Sequence, residues 1–466
     1  MKKNTFFTLC LSLFLLGTVS AQQTVWVAAT ASGAANGTSE ADAYGSLATA
    51  LFDINSAGDI LRVVGTVPAG AQNLSLTSAT SINKNFQYTI EGDAGGSTLT
   101  GTNGLTRMFT INAASAGQNV TFKNITFSGS TGSTGAGGSV LFTNQANVTI
   151  NFENCRFIGN SLASSVTVGG GALNITNSTV TIMDCLFKEN QALQNGGAIA
   201  IYNTSNVTMT GCTFYKNKTT SATAAQGGGA LFVTDVTAVV NAYNCTFFQN
   251  TTGLTNQDYG VIRTDSGTTK IYNSLFYDNK LNNDQNAPSD WGAGTNGTQT
   301  FETSIAQWIS TNVDNQDEGT GSITGIKGGT GTPADLTSSN LTFNPTTGKV
   351  EYDSVSYTED SPIDFGSDGN DVGAWDSGLT LSLDKEDFLA TKLSVYYNGS
   401  SKNLEVLHSI AEPISLEVYT ILGAKVLSLN NVNAKQLINA NHLNTGIYIL
   451  VGKTSEKFFS KKFLIN

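Results

Sequence analysis

Apolar and polar residues in the middle of the chain follow no helical period. They fall in strand-length runs broken by turns, and the runs recur. A phrase Asn-Cys-x-Phe-x-x-Asn stands at Asn154, Cys155, Phe157 and Asn160. It returns as Cys185, Phe187, Asn190; as Cys212, Phe214, Asn217; as Asn244, Cys245, Phe247, Asn250; and as Asn273, Phe276, Asn279, with Ser274 in the cysteine slot. Phe127 opens the series, and its phenylalanines recur every 27 to 33 positions, an interval typical of repeat architectures. Midway between copies lies Gly-Gly-Ala, at Gly170–Ala172, Gly196–Ala198 and Gly228–Ala230.

Cys and Phe two positions apart share one side of a strand, and the Thr, Arg or Leu between them faces the other way. No single unit can bury its Phe alone, so each must lie on the next. Strand, turn, strand, turn within each unit predicts an all-β chain wound as a parallel β-helix, with windings about 4.8 Å apart. Phe and Cys then fill the interior. The corner amides of Asn160, Asn190, Asn217, Asn250 and Asn279 bond to turn backbone and to one another, and Gly-Gly supplies positive φ at a tight corner.

The pattern changes toward both ends. Residues 1–21 pair two lysines with the apolar run Phe6–Leu16 and end Val19-Ser-Ala21, which predicts a secretory signal cleaved before Gln22 rather than a membrane span. Residues 22–60 predict an N-terminal helical cap: a strand at Val25–Val27, then a helix N-capped by Ser46 with Leu47, Ala50, Leu51 and Ile54 on one face. Such a helix would cover unpaired strand backbone. The β-helix is placed at 61–376, with its repeat core at about 120–280 and a loop-rich stretch at 280–345 in which Phe301–Ile309 reads as a short helix. Residues 361–375 read as a closing winding and 377–390 as a linker. The spacing of Leu404–Leu407, Ile414–Val418, Lys425–Leu429, Ile447–Val451 and Phe458–Ile465 predicts a small antiparallel β-sandwich over 391–466.

Charge then narrows the partners. The chain carries −11 overall. From residue 390 onward eight Lys and four Glu give +4, leaving −15 on the rest. An acidic body excludes nucleic acid and anionic bilayers as favoured partners. Cys10 lies in the leader, so Cys155, Cys185, Cys212 and Cys245 remain. An even count in an exported chain suggests disulfides. Stacked positions hold Cβ atoms farther apart than the roughly 3.8 Å a disulfide wants, which favours buried free thiols.

Two resemblances follow from these residues. Phe187–Asn190 and Gly196–Ile199 resemble the polymorphic outer membrane protein repeats of right-handed β-helix surface proteins. The cap and the Ser361-Pro-Ile-Asp…Asp371-Val-Gly-Ala-Trp375 ending look like those of exported β-helix proteins of the Bacteroidota. The tail resembles a type A sorting domain of the type IX secretion system, through Val418-Tyr419, Gly423, Val426, Leu443–Leu450 with Gly446 and Tyr448, and Lys461-Lys462-Phe463. It departs from that pattern at Tyr396-Tyr397-Asn398-Gly399, where such domains open Tyr-Pro-Asn-Pro. The resemblance implies export by the type IX machinery, removal of the tail and anchoring at the cell surface, with no transmembrane span in the mature chain.

Candidate chemistry is sparse. His408 and His442 both lie in the tail, which excludes a Ser-His-Asp or histidine-bearing metal site in the passenger. β-Helix polysaccharide lyases and glycoside hydrolases are the enzymatic alternative. The galacturonan hydrolase pattern of Asp-Asp with Gly-His-Gly is absent, and Arg156, Lys188 and Lys216 occupy different offsets. Arg263 with Asp265 reads as a surface ion pair. Asp364, Asp368 and Asp371 are candidate Ca²⁺ ligands weighed against a turn-forming role, no Glu following at calcium-loop spacing; no other cofactor is expected. Tyr202, Tyr215, Tyr243, Tyr272 and Tyr277 read as exposed strand residues able to stack on glycans. The reading reached from sequence is a secreted adhesin binding a glycan, matrix or cell-surface ligand. A lyase or hydrolase, or a structural surface-layer protein, are the alternatives.

Overall fold

A computed structural model describes residues 22–281 apart from 74–83, 85, 94–95, 102–106, 113–117, 133–136, 147, 163–168, 222–226 and 254–259. It also describes 291–302, 320–324, 341–352, 393–398, 402–408, 414–420, 425–432, 435–441, 443, 446–453 and 458–465. The leader, the closing winding at 361–375 and the linker lie outside these residues. The chain divides into two compact units, one within 1–367 and one within 375–466 apart from a few residues near 370.

The first unit is a parallel β-solenoid. Its longest ladder joins Ile60–Val64, Gln87–Gly92, Asn119–Lys123, Thr149–Glu153, Thr179–Met183, Asn206–Thr210, Val239–Tyr243 and the second half of Ile262–Tyr272. The repeated Phe lies on a second ladder, where Phe127, Phe157, Phe187, Phe214, Phe247 and Phe276 are register partners in turn. Short strands from Thr131–Gly132 to Lys280–Leu281 make a third ladder. Strands from Phe109–Asn112 to the first half of Ile262–Tyr272 make a fourth.

All the repeated phenylalanines are fully buried. Phe157, Phe187, Phe214 and Phe247 stack nearly coplanar, with centroids 4.5, 4.8 and 4.7 Å apart. That spacing is the winding repeat itself, so each ring lies on the next. Stacked pairs contribute about 0.5–1.5 kcal/mol each beyond the area they bury.

The glycines serve a second purpose besides positive φ. Gly196 and Gly228 do have φ of 60° and 70°. At Gly197, however, the constraint is close approach: a Cβ there would run into the Gly229 carbonyl oxygen of the next winding. Glycine permits that approach because it lacks the atom.

At the N-terminus, Thr24–Ala28 pairs with Ile60–Val64, and a helix spans Leu47–Asp53 with Leu47, Ala50 and Leu51 buried. Ser46 holds the N-cap position in extended geometry but makes no side-chain capping bond. The helix ends at Ile54. Asp59 is a buried tie. Its Oδ1 accepts from Gln23 N at 3.1 Å, and its Oδ2 accepts from Asn55 N and Ser56 N at 3.0 and 2.8 Å.

Two features of the stack lie outside the repeated phrase. Within the segment read as loop-rich after residue 280, two described strands extend the stack: Trp291–Glu302 pairs in parallel with Ile262–Tyr272, and Thr320–Thr324 pairs with Trp291–Glu302. Phe301 therefore ends a strand rather than starting a helix; residues 303–309 lie outside the described residues. Second, Leu186, Thr213, Thr246 and Leu275 alternate with the inward residues yet are buried. Part of the reason is a hairpin, Leu341–Asn344 paired antiparallel with Lys349–Tyr352, laid over that outer face. Phe343 stacks on Tyr215 with centroids 4.1 Å apart. The Lys188 ammonium lies 5.6 Å from the Phe343 centroid, and Arg156 donates to the carbonyls of Pro345 and Thr346.

The second unit holds two small antiparallel sheets. One joins Leu393–Asn398, Asn403–His408 and Lys435–Asn439. The other joins Lys425–Val432, Ile414–Thr420, Gly446–Lys453 and Phe458–Ile465. Leu404, Val406 and Ile438 from the first share one buried cluster with Leu416, Val418, Tyr448 and Leu450 from the second.

Candidate functional site

The outer surface is set by what the inner ladders hold fixed. Asn160, Asn190, Asn217, Asn250 and Asn279 are fully buried at one corner. Asn190 is representative. Its Nδ2 donates to Phe157 O and Asn217 Oδ1, both at 2.9 Å, and its Oδ1 accepts from Asn160 N and Asn160 Nδ2, both at 3.1 Å. Each amide thus accepts from a buried turn N–H of the previous winding and adds a second donor to a carbonyl of the Phe ladder. The cysteines act similarly at another corner. Cys155, Cys185, Cys212 and Cys245 are free and buried. Cys155 N donates to Cys185 Sγ at 3.3 Å, and Cys245 N donates to Ser274 Oγ at 3.1 Å. Burial pushes the thiols of Cys185 and Cys212 well above the usual range, which makes them poor nucleophiles.

With those corners pinned, the longest ladder turns one flat face outward. Its rows run Thr121, Asn151, Thr181, Thr208, Asn241, Lys270 and Asn119, Thr149, Thr179, Asn206, Val239, Thr268. A third row holds Lys123, Glu153, Met183, Thr210, Tyr243 and Tyr272. Lys123 and Glu153 pair at 3.7 Å at one end. From Thr179–Met183 through Val239–Tyr243 the strands carry no charged residue. The face is a grid of hydroxyls and amides about 4.8 Å apart along the axis, edged by exposed Met183 and Tyr243. Tyr243 and Tyr272 stack at 5.1 Å.

Beside the Asn corner runs a groove of about 560 Å³, lined by Glu189, Gln191, Lys216, Lys218, Gln249, Thr251, Asp278 and Lys280. Lys280 pairs with Asp278 at 2.8 Å, and Gln249 Nε2 donates to Asp278 Oδ2 at 2.9 Å. Glu189 faces Lys188 at 3.8 Å. The Lys216 ammonium lies 4.9 Å from the Tyr215 ring centroid, and contact with the Tyr215 hydroxyl raises its pKa.

Other expectations change. Arg263 is buried and bonded at 2.5 Å to Asp265, which reaches the surface, so only half of this pair meets water; Arg263 occupies a ladder position between Phe232 and Gly292. Tyr215 and Tyr277 are buried rather than exposed, Tyr215 beneath Phe343. Tyr202 is half-buried, its hydroxyl accepting from Gly169 N at 3.1 Å and Asn195 Nδ2 at 3.2 Å. Arg156 and Lys188 serve the hairpin, whereas Lys216 lines the groove. Asp364, Asp368, Asp371, Gly423 and His442 lie outside the described residues. Among the described residues no three His, Cys, Asp or Glu side chains gather to hold a metal, and no helix is long and apolar enough to cross a membrane. In the second unit Gly446 opens a strand, Tyr448 is buried, and Lys461 and Lys462 pair with Leu450 and Ile449. The alternation of residues flagged neither the hairpin nor the Asp59 tie, because neither recurs.

Comparison with known proteins agrees with this geometry. Residues 77–280 match the right handed beta helix region, and residues 394–466 match the secretion system C-terminal sorting domain. No curated protein matches the chain. The chain accordingly carries a β-helix region and a C-terminal sorting domain of the type IX secretion kind, which implies secretion.

Proposed function

We propose that this chain is a surface-anchored adhesin whose solenoid binds a neutral polysaccharide or glycan-coated cell surface without cleaving it. The observation that carries this reading is the uncharged hydroxyl and amide grid on the longest ladder, centred on Thr181, Thr208 and Asn241. Hydroxyls and amides offer both donors and acceptors, a flat face accepts a long ligand, and exposed Tyr243 adds an aromatic surface for a sugar ring. In this account the helix Leu47–Asp53 caps the stack, the leader ends before Gln22, the repeats are of the polymorphic outer membrane protein type, and the tail is a type A sorting signal recognised through Gly423, Gly446, Tyr448, Lys461 and Lys462.

The test is retention of the full chain on immobilised polysaccharides and a glycan array. Thr181→Glu with Thr208→Glu places carboxylates in the middle of the grid and should abolish retention, at a modest stability cost because the two face each other on adjacent windings. Retention undiminished in that variant would remove the grid from the binding site.

A further inference from the structure

The corner groove is a second site with a different chemistry. Its two rails are a consequence of the amide ladder. Asn190, Asn217, Asn250 and Asn279 point inward, so the residue on either side of each must leave the corner outward. The preceding residues Glu189, Lys216, Gln249 and Asp278 all hold φ between 51° and 56°. Glu189, Lys216 and Gln249 donate their N–H to the carbonyls of Tyr215, Phe248 and Tyr277 on the next winding. The following residues Gln191, Lys218, Thr251 and Lys280 belong to the short-strand ladder. Each winding therefore presents one side chain on each rail, at a step of about 4.8 Å.

The charges along those rails are unevenly distributed. Glu189 has Lys188 beside it and Asp278 has Lys280. Between them one winding places Lys216 and Lys218 on opposite rails, both exposed, with no carboxylate on that winding's own rails. The next winding offers Gln249 and Thr251, and the previous one Gln191, as neutral hydrogen-bonding groups. The site is thus one cationic step with neutral Gln249 and Thr251 on one side, and Gln191 with the Lys188-paired Glu189 on the other. Its surroundings matter as much. The body of the chain is strongly acidic, so its long-range field repels any densely charged polyanion. Only a ligand whose negative charge is local gains from the two lysines without incurring that repulsion.

We propose that this groove binds a sparsely acidic glycan, with a single sulfate or carboxylate seated between Lys216 and Lys218 and neighbouring sugar hydroxyls bonded by Gln191, Gln249 and Thr251. An extended glycan lying along the axis would advance about one winding per sugar, so one anionic group among several neutral sugars fits the one cationic step. The lysines act as point charges on the anion, and the amides fix register.

The experiment is calorimetric titration of the full chain with a β-1,4-glucose hexamer, the same hexamer bearing one sulfate ester, the same hexamer bearing one glucuronate, and polygalacturonate. One or both singly charged hexamers should bind about tenfold tighter than the neutral one, and tighter per site than polygalacturonate. Preference for the sulfate or for the glucuronate identifies the anion. Lys218→Gln should erase the advantage of the charged hexamers, whereas Lys402→Gln in the second unit should leave it. Thr181→Glu with Thr208→Glu tests the grid separately and should not alter this preference. Equal binding of neutral and singly charged hexamers, strongest binding of polygalacturonate, no binding of any hexamer, or indifference to Lys218→Gln would each overturn the assignment.

Discussion

Replacing Asn190 by alanine removes one rung of the amide ladder and leaves the backbone trace free to stay where it is. The loss can be counted group by group. Asn160 N–H donates to Asn190 Oδ1, and Phe157 O accepts from Asn190 Nδ2; both lose that partner in a buried corner. Asn160 Nδ2 keeps Phe127 O, and Asn217 Oδ1 keeps Asn190 N, so these two are only partly deprived. Phe157 O keeps its ladder bond, so one buried N–H is abandoned, which puts the destabilisation at about 1–3 kcal/mol. Asn241→Ala, on the outward face, should stay within about 0.5 kcal/mol. Denaturant unfolding of the full chain gives the totals, and hydrogen exchange locates the change, which should be concentrated at the amides of Asn160 and its neighbours because solenoid windings couple mainly to adjacent ones. Equal costs for Asn190→Ala and Asn241→Ala, or exchange unchanged at Asn160, would refute the assignment of backbone satisfaction to this ladder.

Other outcomes follow from the same geometry. Phe187→Ala opens a void between Phe157 and Phe214 and should cost about 3–5 kcal/mol by denaturant unfolding. Cys185→Ala deprives Cys155 N–H of its sulfur partner, whereas Cys185→Ser supplies the oxygen that Ser274 already provides to Cys245 N three windings along the stack; the serine variant should be the more stable by about 1 kcal/mol or more. Burial pushes the phenols of Tyr202 and Tyr277 up to about 12. Their pKa is raised on folding, so the stabilisation is complete below the usual phenol value of about 10 and is lost as pH rises from there through 12. Unfolding curves should weaken over that window, and less steeply in Tyr202→Phe.

How much of this was legible in the residues depends on repetition. Phe157, Phe187 and Phe214 could be placed in one file because each meets its own equivalent, so a recurring letter encodes a recurring contact. Alternation failed where it assumed water outside the sheet. Leu186 and Tyr215 face outward and are still buried, since Phe343 and Gly348 arrive from a hairpin some 130 or more positions later. Arg263 looked like a surface residue by its charge, but a ladder position beside Phe232 buries it. The groove was likewise hidden. Lys216 and Lys218 are unremarkable letters until the inward turn of Asn217 forces them onto opposite rails.

The claim most exposed to test is binding without turnover. The full chain should be incubated with the polysaccharide that retains it best, and new reducing and unsaturated chain ends counted against protein bound. The account predicts saturable retention with no ends above the protein-free control; ends accumulating over many per bound molecule would contradict it.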